Sequence, residues 1–152
     1  TCVPIQQAPM AMAKPWDLVV VDTAGGSRDE QRTYAEGSDF VIAPCQPAAS
    51  SIEQVIDLAE VIGATGKPFG VLLTMCDTRR KVDATKTRQV LERIGLPVLS
   101  TEITLLSAWP KAEAVGLAVR DARTDADRPD PGAAKAWQQV ADLAAEITEK
   151  LS

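Results

Sequence analysis

The stretch "DLVVVDTAGG", Asp17 to Gly26, decides how the rest of the chain is read. Leu18 to Val21 are four apolar residues in a row, with no polar residue between them. Such a run suits a strand buried on both faces of a parallel sheet. It ends in Asp22, followed by the small residues Thr23, Ala24, Gly25 and Gly26. A carboxylate just past the C-terminal end of a buried strand stands where open α/β sheets bind ligands. The glycines let an anion approach the backbone N–H groups closely. A plain strand-to-helix turn, with Asp22 bonding local amides, accounts for these residues equally well.

Working outward, "FVIAP" (40–44) and "FGVLLT" (69–74) are further continuous apolar runs, and "PVLSTEI" (97–103) is a weaker one. Helical patterns lie between them. In 50–62, Ile52, Val55, Ile56, Ala59 and Ile62 share a face, with Ser50 or Ser51 as the cap. In 83–94, Asp83 caps a helix with Val90, Leu91 and Ile94 as its apolar stripe, and Gly95 stops it. A short helix is expected near 108–115, and 120–132 reads as a polar surface loop. The last helix is expected to start at Asp130–Pro131. It would dock Trp137, Val140, Ala141, Ala144, Ile147 and Leu151 on the sheet. Alternating strands and helices imply an α/β fold: three layers, with a mostly parallel twisted sheet and helices on both faces.

The 152 residues read as one domain, 1–152, with an irregular lead-in at 1–16. Hydrophobic residues at 45% exclude a disordered chain, and a net charge of −5 confines any nucleic-acid contact to a local basic patch. No apolar run approaches the length of a membrane span, and the N-terminal stretch lacks the basic start of a signal peptide. Three scattered cysteines, Cys2, Cys45 and Cys76, fit a reducing cytoplasm. The chain contains no histidine, which removes Ser-His and Cys-His catalysis and most zinc sites. Thr1 in place of an initiator methionine reads as a processed product or a fragment.

The blocks "WDLVVVDTAGG", "SDFVIAPCQPAASSIEQV" and "KPFGVLLTMCDTRRKVDATKTRQVLERIGLPVLSTEIT" follow one another in order, with "AWPKAEAVGLAVRD" after them. Together they resemble the ParA/MinD group of deviant Walker P-loop ATPases, particularly the small plasmid-partition ParA proteins. The resemblance runs from about Trp16 to Leu151. "DFVIAPCQP" is similar to the family's D-x-V-[IL]-x-P-x-x-P strand, and "GVLLTMCDTR" to its G-[IV]-L-x-T-M-[YF]-D-x-R segment. The resemblance implies a P-loop type fold with ATP and Mg²⁺ as cofactors. Asp22 would be the Walker B aspartate, ordering the attacking water without binding the metal directly. Thr23, Ala24, Gly25 and Gly26 would lie along the phosphates. Thr74, Met75 and Asp77, with Thr104 and Leu105, would lie near the base. ATP over GTP is implied by the resemblance alone, since no N-K-x-D motif occurs.

One part of the family pattern is missing. No K-G-G-x-G-K-[ST] loop is present; "GATGKP", Gly63 to Pro68, has the wrong spacing and follows a helix. In the family the strand before that loop lies mid-sheet, beside the Asp22 strand. Its omission would leave backbone groups unpaired. The expectation is therefore an N-terminally incomplete ParA-like domain, a poor ATPase by itself. Its intact parent would form a nucleotide-dependent homodimer, stimulated by a ParB-like partner and cytoplasmic on the nucleoid.

"TRRKVDATKTR" (78–88) carries Arg79, Arg80, Lys81, Lys86 and Arg88, and Lys111 could extend the cluster. Such a run reads as a solvated face on its own. The resemblance makes it a candidate for non-specific, salt-dependent double-stranded DNA binding. The acidic last helix argues against a membrane anchor. Two alternatives stay open: a nucleotide-independent DNA- or protein-interaction module with a remnant fold, and a related deviant Walker ATPase with another cargo.

Overall fold

The computed structural model describes residues 15–23 and 25–152. Three parallel strands, β1 (Val41–Cys45), β2 (Phe69–Cys76) and β3 (Val98–Thr104), form a sheet in that order. Five α-helices accompany them: α1 (Arg28–Glu36), α2 (Ala49–Gly63), α3 (Lys81–Arg93), α4 (Ala108–Ala114) and α5 (Ala133–Leu151). On one face, Val55 of α2 and Ala84 and Leu91 of α3 pack with Ala43, Cys45, Val71 and Leu73. On the other, Ile147 and Leu143 of α5 pack with Leu72, Leu99 and Ile103. This is the expected α/β architecture with helices on both faces of a parallel sheet.

The continuous apolar run in β2 follows from its position. Gly70 to Leu73 are all buried, because both neighbours pair with β2 and both faces are covered. Gly70 lies under close neighbours: a Cβ there would meet the Leu99 side chain at 2.6 Å and Phe40 Cζ at 3.2 Å. At the helix ends, Ser27 and Glu30 form a capping box at the start of α1. Gly95, at φ +84°, closes α3 in a conformation that costs glycine nothing.

Three expectations are corrected. Leu18 to Val21 form no strand; they are exposed, Val20 to 81%, and pair with no strand among the described residues. An apolar run states a preference for burial but does not supply the strand that would satisfy it. The edge of β1 is a poor substitute. Val41 N–H bonds Pro68 O, just before β2, so Ile42 and Pro44 turn their backbone groups outward. Pro44 has no N–H to offer.

The apolar stripe of α3 is the second correction. Ala84, Thr87 and Leu91 are buried, whereas Val90 and Ile94 are exposed. Asp83 does not cap this helix but pairs with Arg80 inside its first turn. The third concerns α5, which begins at Ala133 and buries Ala133, Ala136 and Ile147. Trp137, Ala141, Ala144 and Leu151 are exposed, so the docked face is rotated by about one residue from the expected one. Trp137 instead lies under the Arg120 guanidinium, 4.9 Å from the ring centre.

Side chains close the strand edge opposite β1. Between the pairs Val71–Val98 and Leu73–Glu102, β3 carries two more residues than β2, a bulge. Glu146 of α5 accepts from the Ser100 and Thr101 amides at 2.8 and 2.9 Å. Arg88 of α3 donates to Leu99 O at 2.8 Å and to Glu102 at 2.9 Å. Gln139 accepts from Thr104 N–H at 3.2 Å. Burial opposes charge on Glu146, but the Ser100 and Thr101 amides outweigh it and lower its pKa from 4.5 to about 2.

A carboxyl with a depressed folded pKa stabilises above its ordinary value and loses that contribution as pH falls toward the folded value. Glu146→Gln, which turns an amide donor toward one of the two N–H groups, is expected to cost roughly 1 kcal/mol near neutral pH. Its deficit against wild type should shrink between about pH 4.5 and about pH 2. Urea unfolding of both proteins across that range checks this, and a deficit independent of pH would refute it.

Candidate functional site

At the C-terminal ends of β2 and β3 a cavity of about 340 Å³ opens. It is lined by Thr74, Met75, Ile103, Thr104, Leu105, Trp109, Pro110 and Glu113. The backbone of β2 makes room for it. Val71 and Leu73 point to the α2/α3 face, and simple alternation would send Met75 after them. Met75 instead adopts φ +53°, so Cys76 takes the buried place and Met75 turns to the cavity, 49% exposed. Few residues with a side chain hold such a conformation, and those that do gather at functional sites. Leu105 N–H bonds Cys76 O at 3.0 Å, tying the strand after the irregularity to the start of the next loop.

Two further bonds fix the wall. The Trp109 indole N–H donates to Thr104 O at 2.9 Å, and Gln139 Nε2 donates to Thr104 Oγ1 at 2.6 Å. The indole is thereby held by its edge with its plane oriented. Among the described residues, the Glu113 carboxylate makes no hydrogen bond or ion pair. The lining includes no cation and no glycine.

Thr74, Met75, Thr104 and Leu105 thus come together in one cavity. Asp77 does not line it; Asp77 accepts from Arg79 N–H at 2.9 Å and pairs with the Arg79 guanidinium, which lowers its pKa. Ile103, Trp109, Pro110 and Glu113 are site residues that motif matching does not single out. Their signal was positional: a helix starting just past the C-terminal end of a strand.

The Asp22 turn lies elsewhere, since none of its residues lines the cavity. Asp22, Thr23, Gly25 and Gly26 are exposed, and Ala24 falls outside the described residues. Among the described residues Asp22 makes no hydrogen bond or ion pair. At the start of α1 a carboxylate is already in place. The Glu30 carboxylate accepts from Ser27 N–H at 2.8 Å, and Arg28, the nearest cation in sequence, pairs with Glu60 at 3.0 Å.

The basic segment divides into three groups. Arg79 and Arg80 pair with Asp77 and Asp83 but stay 85% and 73% exposed. Pairs so exposed contribute little and yield readily to another anion. Lys81 and Lys86 are exposed and carry no ion pair among the described residues. Arg88 is committed to β3 and Glu102, and Lys111 to Asp130 at 2.8 Å. Lys111, with the Gly132 N–H, holds the Asp130 carboxyl below the usual range although its side chain is only 1% exposed.

Burial raises both the Cys45 and the Cys76 thiol, Cys76 to about 11 with help from the Glu102 charge. Both stay protonated near neutral pH and are poor nucleophiles. No group of three or more His, Cys, Asp or Glu among the described residues could hold a metal ion. A larger, polar cavity of about 620 Å³ is lined by Arg88, Glu92, Ser100, Glu146 and Lys150 among others; Arg88 and Glu146 there already serve β3.

No protein-family model matches the chain, and no curated protein matches it. No helix among the described residues is long and apolar enough to cross a membrane.

The left-handed Met75 gives a test of backbone strain at the site. Met75→Gly relieves a cost of about 1 kcal/mol against a comparable loss of chain entropy, so stability should stay within about 1 kcal/mol of wild type. Met75→Val, β-branched at positive φ, should lose roughly 1–2 kcal/mol. Urea midpoints distinguish the two; equal losses in both would mean the side chain, not the backbone, sets the cost.

Proposed function

We propose that this chain is the body of a ParA-type partition ATPase. The reading includes nucleotide-dependent homodimerisation, non-specific DNA binding and stimulation by a ParB-like partner, in the cytoplasm on the nucleoid. The observation that carries it is the cavity. Two segments far apart in sequence, each assigned to a nucleobase by resemblance, contribute Thr74 with Met75 and Thr104 with Leu105 to one lining.

A nucleotide fits these residues at one end only. A base suits a cavity that is mainly apolar with a few polar groups. The phosphates and Mg²⁺ find little among the described residues near Asp22 in sequence, where Glu30 accepts from the Ser27 N–H and Arg28 pairs with Glu60. No hydrolytic step is therefore assigned to this chain's residues. On this reading the phosphate contacts come from residues other than those described, and Asp22 is the carboxylate they would meet.

For DNA, Arg79, Arg80, Lys81 and Lys86 present exposed charge along one turn and the helix after it. Arg88 and Lys111 are left out, since their charges hold β3 and the loop before α5. Contacts of this kind read phosphates rather than bases.

The lack of a phosphate grip among the described residues favours a second reading, a nucleotide-independent DNA-binding module. DNA anisotropy with and without MgATP separates the two: the ATPase reading expects retention to depend on MgATP, the module reading equal retention in both. In either case Lys81→Ala with Lys86→Ala should weaken binding across unrelated sequences and reduce the log–log salt slope by about 2. An unchanged slope would remove this surface from DNA binding. In a hydrolysing form of the protein, Asp22→Ala is expected to abolish phosphate release while leaving the circular dichroism spectrum intact. Wild-type release by that variant would take Asp22 out of the chemistry.

A further inference from the structure

We propose that the outer faces of α2 and α3 bind a second copy of this chain about a two-fold axis, without nucleotide or DNA. The basic α3 of each copy lies on the acidic α2 of the other, with Val90 and Ile94 of both copies near the axis. This goes beyond the proposed function, whose homodimer depends on nucleotide.

Three observations carry it. The first is a pair of opposite ridges. α2 and α3 cover the same face of the sheet, Val55 from one and Ala84 and Leu91 from the other entering one core cluster. Each crosses between parallel neighbours, so the two helices run side by side in the same direction. On α2, Glu53, Asp57 and Glu60 recur at helical spacing, away from buried Val55, Ala59 and Ile62. On α3, Lys86 and Arg93 stand away from buried Ala84, Thr87 and Leu91. All five charged residues are exposed, and among the described residues only Glu60 has an ion pair, with Arg28. Glu53 and Glu60 are seven residues apart, as are Lys86 and Arg93, so both ridges run about 10 Å along their helices.

The second is the place of the apolar residues. Arg88 reaches Leu99 O and Glu102, so its side of α3 faces β3. Val90 and Ile94 follow it by two and six residues, about 200° and 240° of helical rotation, which puts them on the side toward α2. They are 40% and 50% exposed. Single exposed apolar residues are ordinary. These two share one valley between the ridges, while smaller Ala84 and Thr87 take the buried face.

The third is symmetry. A two-fold axis along the valley lays α3 on the second copy's α2, and α2 on its α3. Opposite charges then meet twice, and Val90 and Ile94 approach their own counterparts. An axis across the helices would set acid on acid and base on base. A polyanion or an anionic membrane spread over both ridges would meet the acidic one as well as the basic one. A second copy complements both. Exposed ion pairs contribute little one by one, so the contact is weak and salt-sensitive and leans on the apolar pair at the axis.

Sedimentation velocity of the full chain, from micromolar to near-millimolar concentration, tests this. Nucleotide and DNA are left out, because Lys86 is shared with the surface proposed for DNA. A concentration-dependent dimer is expected, its dissociation constant rising roughly tenfold or more from low to high salt. Lys86→Glu with Arg93→Glu should be monomeric alone. So should Glu53→Lys with Asp57→Lys, which leaves the Glu60–Arg28 pair in place. Mixed in equal amounts, the two variants should form a heterodimer, because an all-acidic face then meets an all-basic one. Val90→Asp should dissociate the dimer with every original charge present. Circular dichroism confirms that each variant is folded.

Recovery of the dimer in the mixture supports the proposal and excludes misfolding as the cause of either loss. Wild type that stays monomeric at every concentration would overturn it and leave the two ridges to another protein. A dimer that survives both charge reversals would sit on a different surface, and growth beyond the dimer would mean a contact that does not close; either result overturns the two-fold pairing. None of these outcomes bears on the nucleotide reading, which is tested with MgATP present.

Discussion

β2 has neighbours on both sides and helices over both faces, and the rest of the molecule is arranged to satisfy it. A buried strand must pair its backbone and cover its side chains at once. β1 and β3 supply the pairing, α2 and α3 cover one face, and α5 covers the other. The tightest point is Gly70, where Leu99 and Phe40 leave no space for even a methyl group. Such a strand has freedom only at its end. There Met75 takes the left-handed region, the pairing with β3 shifts, and the cavity opens. The same constraint that closes the core therefore locates the site.

The two edges of the sheet are treated differently. Beyond β3, Arg88, Glu146 and Gln139 reach in from α3 and α5 to satisfy amides and carbonyls that a further strand would otherwise take. An edge sealed in this way does not invite another strand. β1 carries no such closure among the described residues, and its outward-facing Pro44 blunts it by half. Leu18 to Val21 are likewise exposed and unpaired with any strand among the described residues. The expected mid-sheet strand of the ParA-like pattern would meet both needs, and its role remains part of the proposal.

Much of this was legible in the sequence because burial on two faces writes a continuous apolar run, as in Gly70 to Leu73. The order of strands and helices followed from such runs and from stops like Gly95. Leu18 to Val21 carried the same signal and did not pair, because a run encodes burial but not its partner. The helix faces were misread for a related reason. In α5, Trp137 looks like a core anchor by hydrophobicity, yet Arg120 gives it a cation to lie against at the surface, and small Ala133 and Ala136 take the close contact. In α3, alanine and threonine face the sheet while Val90 and Ile94 face outward. Close approach, of α3 to the sheet and of the start of α5 to α4, selects small residues, which a search for large apolar side chains passes over. At the cavity, Thr74, Met75, Thr104 and Leu105 come from segments the resemblance had grouped, whereas the place of Glu113 in the lining needed that of α4.

The two halves of a nucleotide place opposite demands on a protein, and on the proposed reading this chain would meet them unequally. A base is satisfied by apolar walls and a few directed acceptors, which a strand end and one short helix can supply. Phosphates need several N–H groups or cations converging at once, because their charge loses hydration on binding. Around Asp22 the nearby groups are few: Glu30 takes the Ser27 N–H at the start of α1, and Arg28 faces Glu60 in an exposed pair. A carboxylate left beside them repels an anion rather than holding one. On the proposed reading, the described residues would serve the neutral part of the ligand, and affinity for the charged part would have to come from other groups that converge on Asp22. On that reading ligand charge, more than ligand shape, would decide between the nucleotide-dependent and the nucleotide-independent proposal.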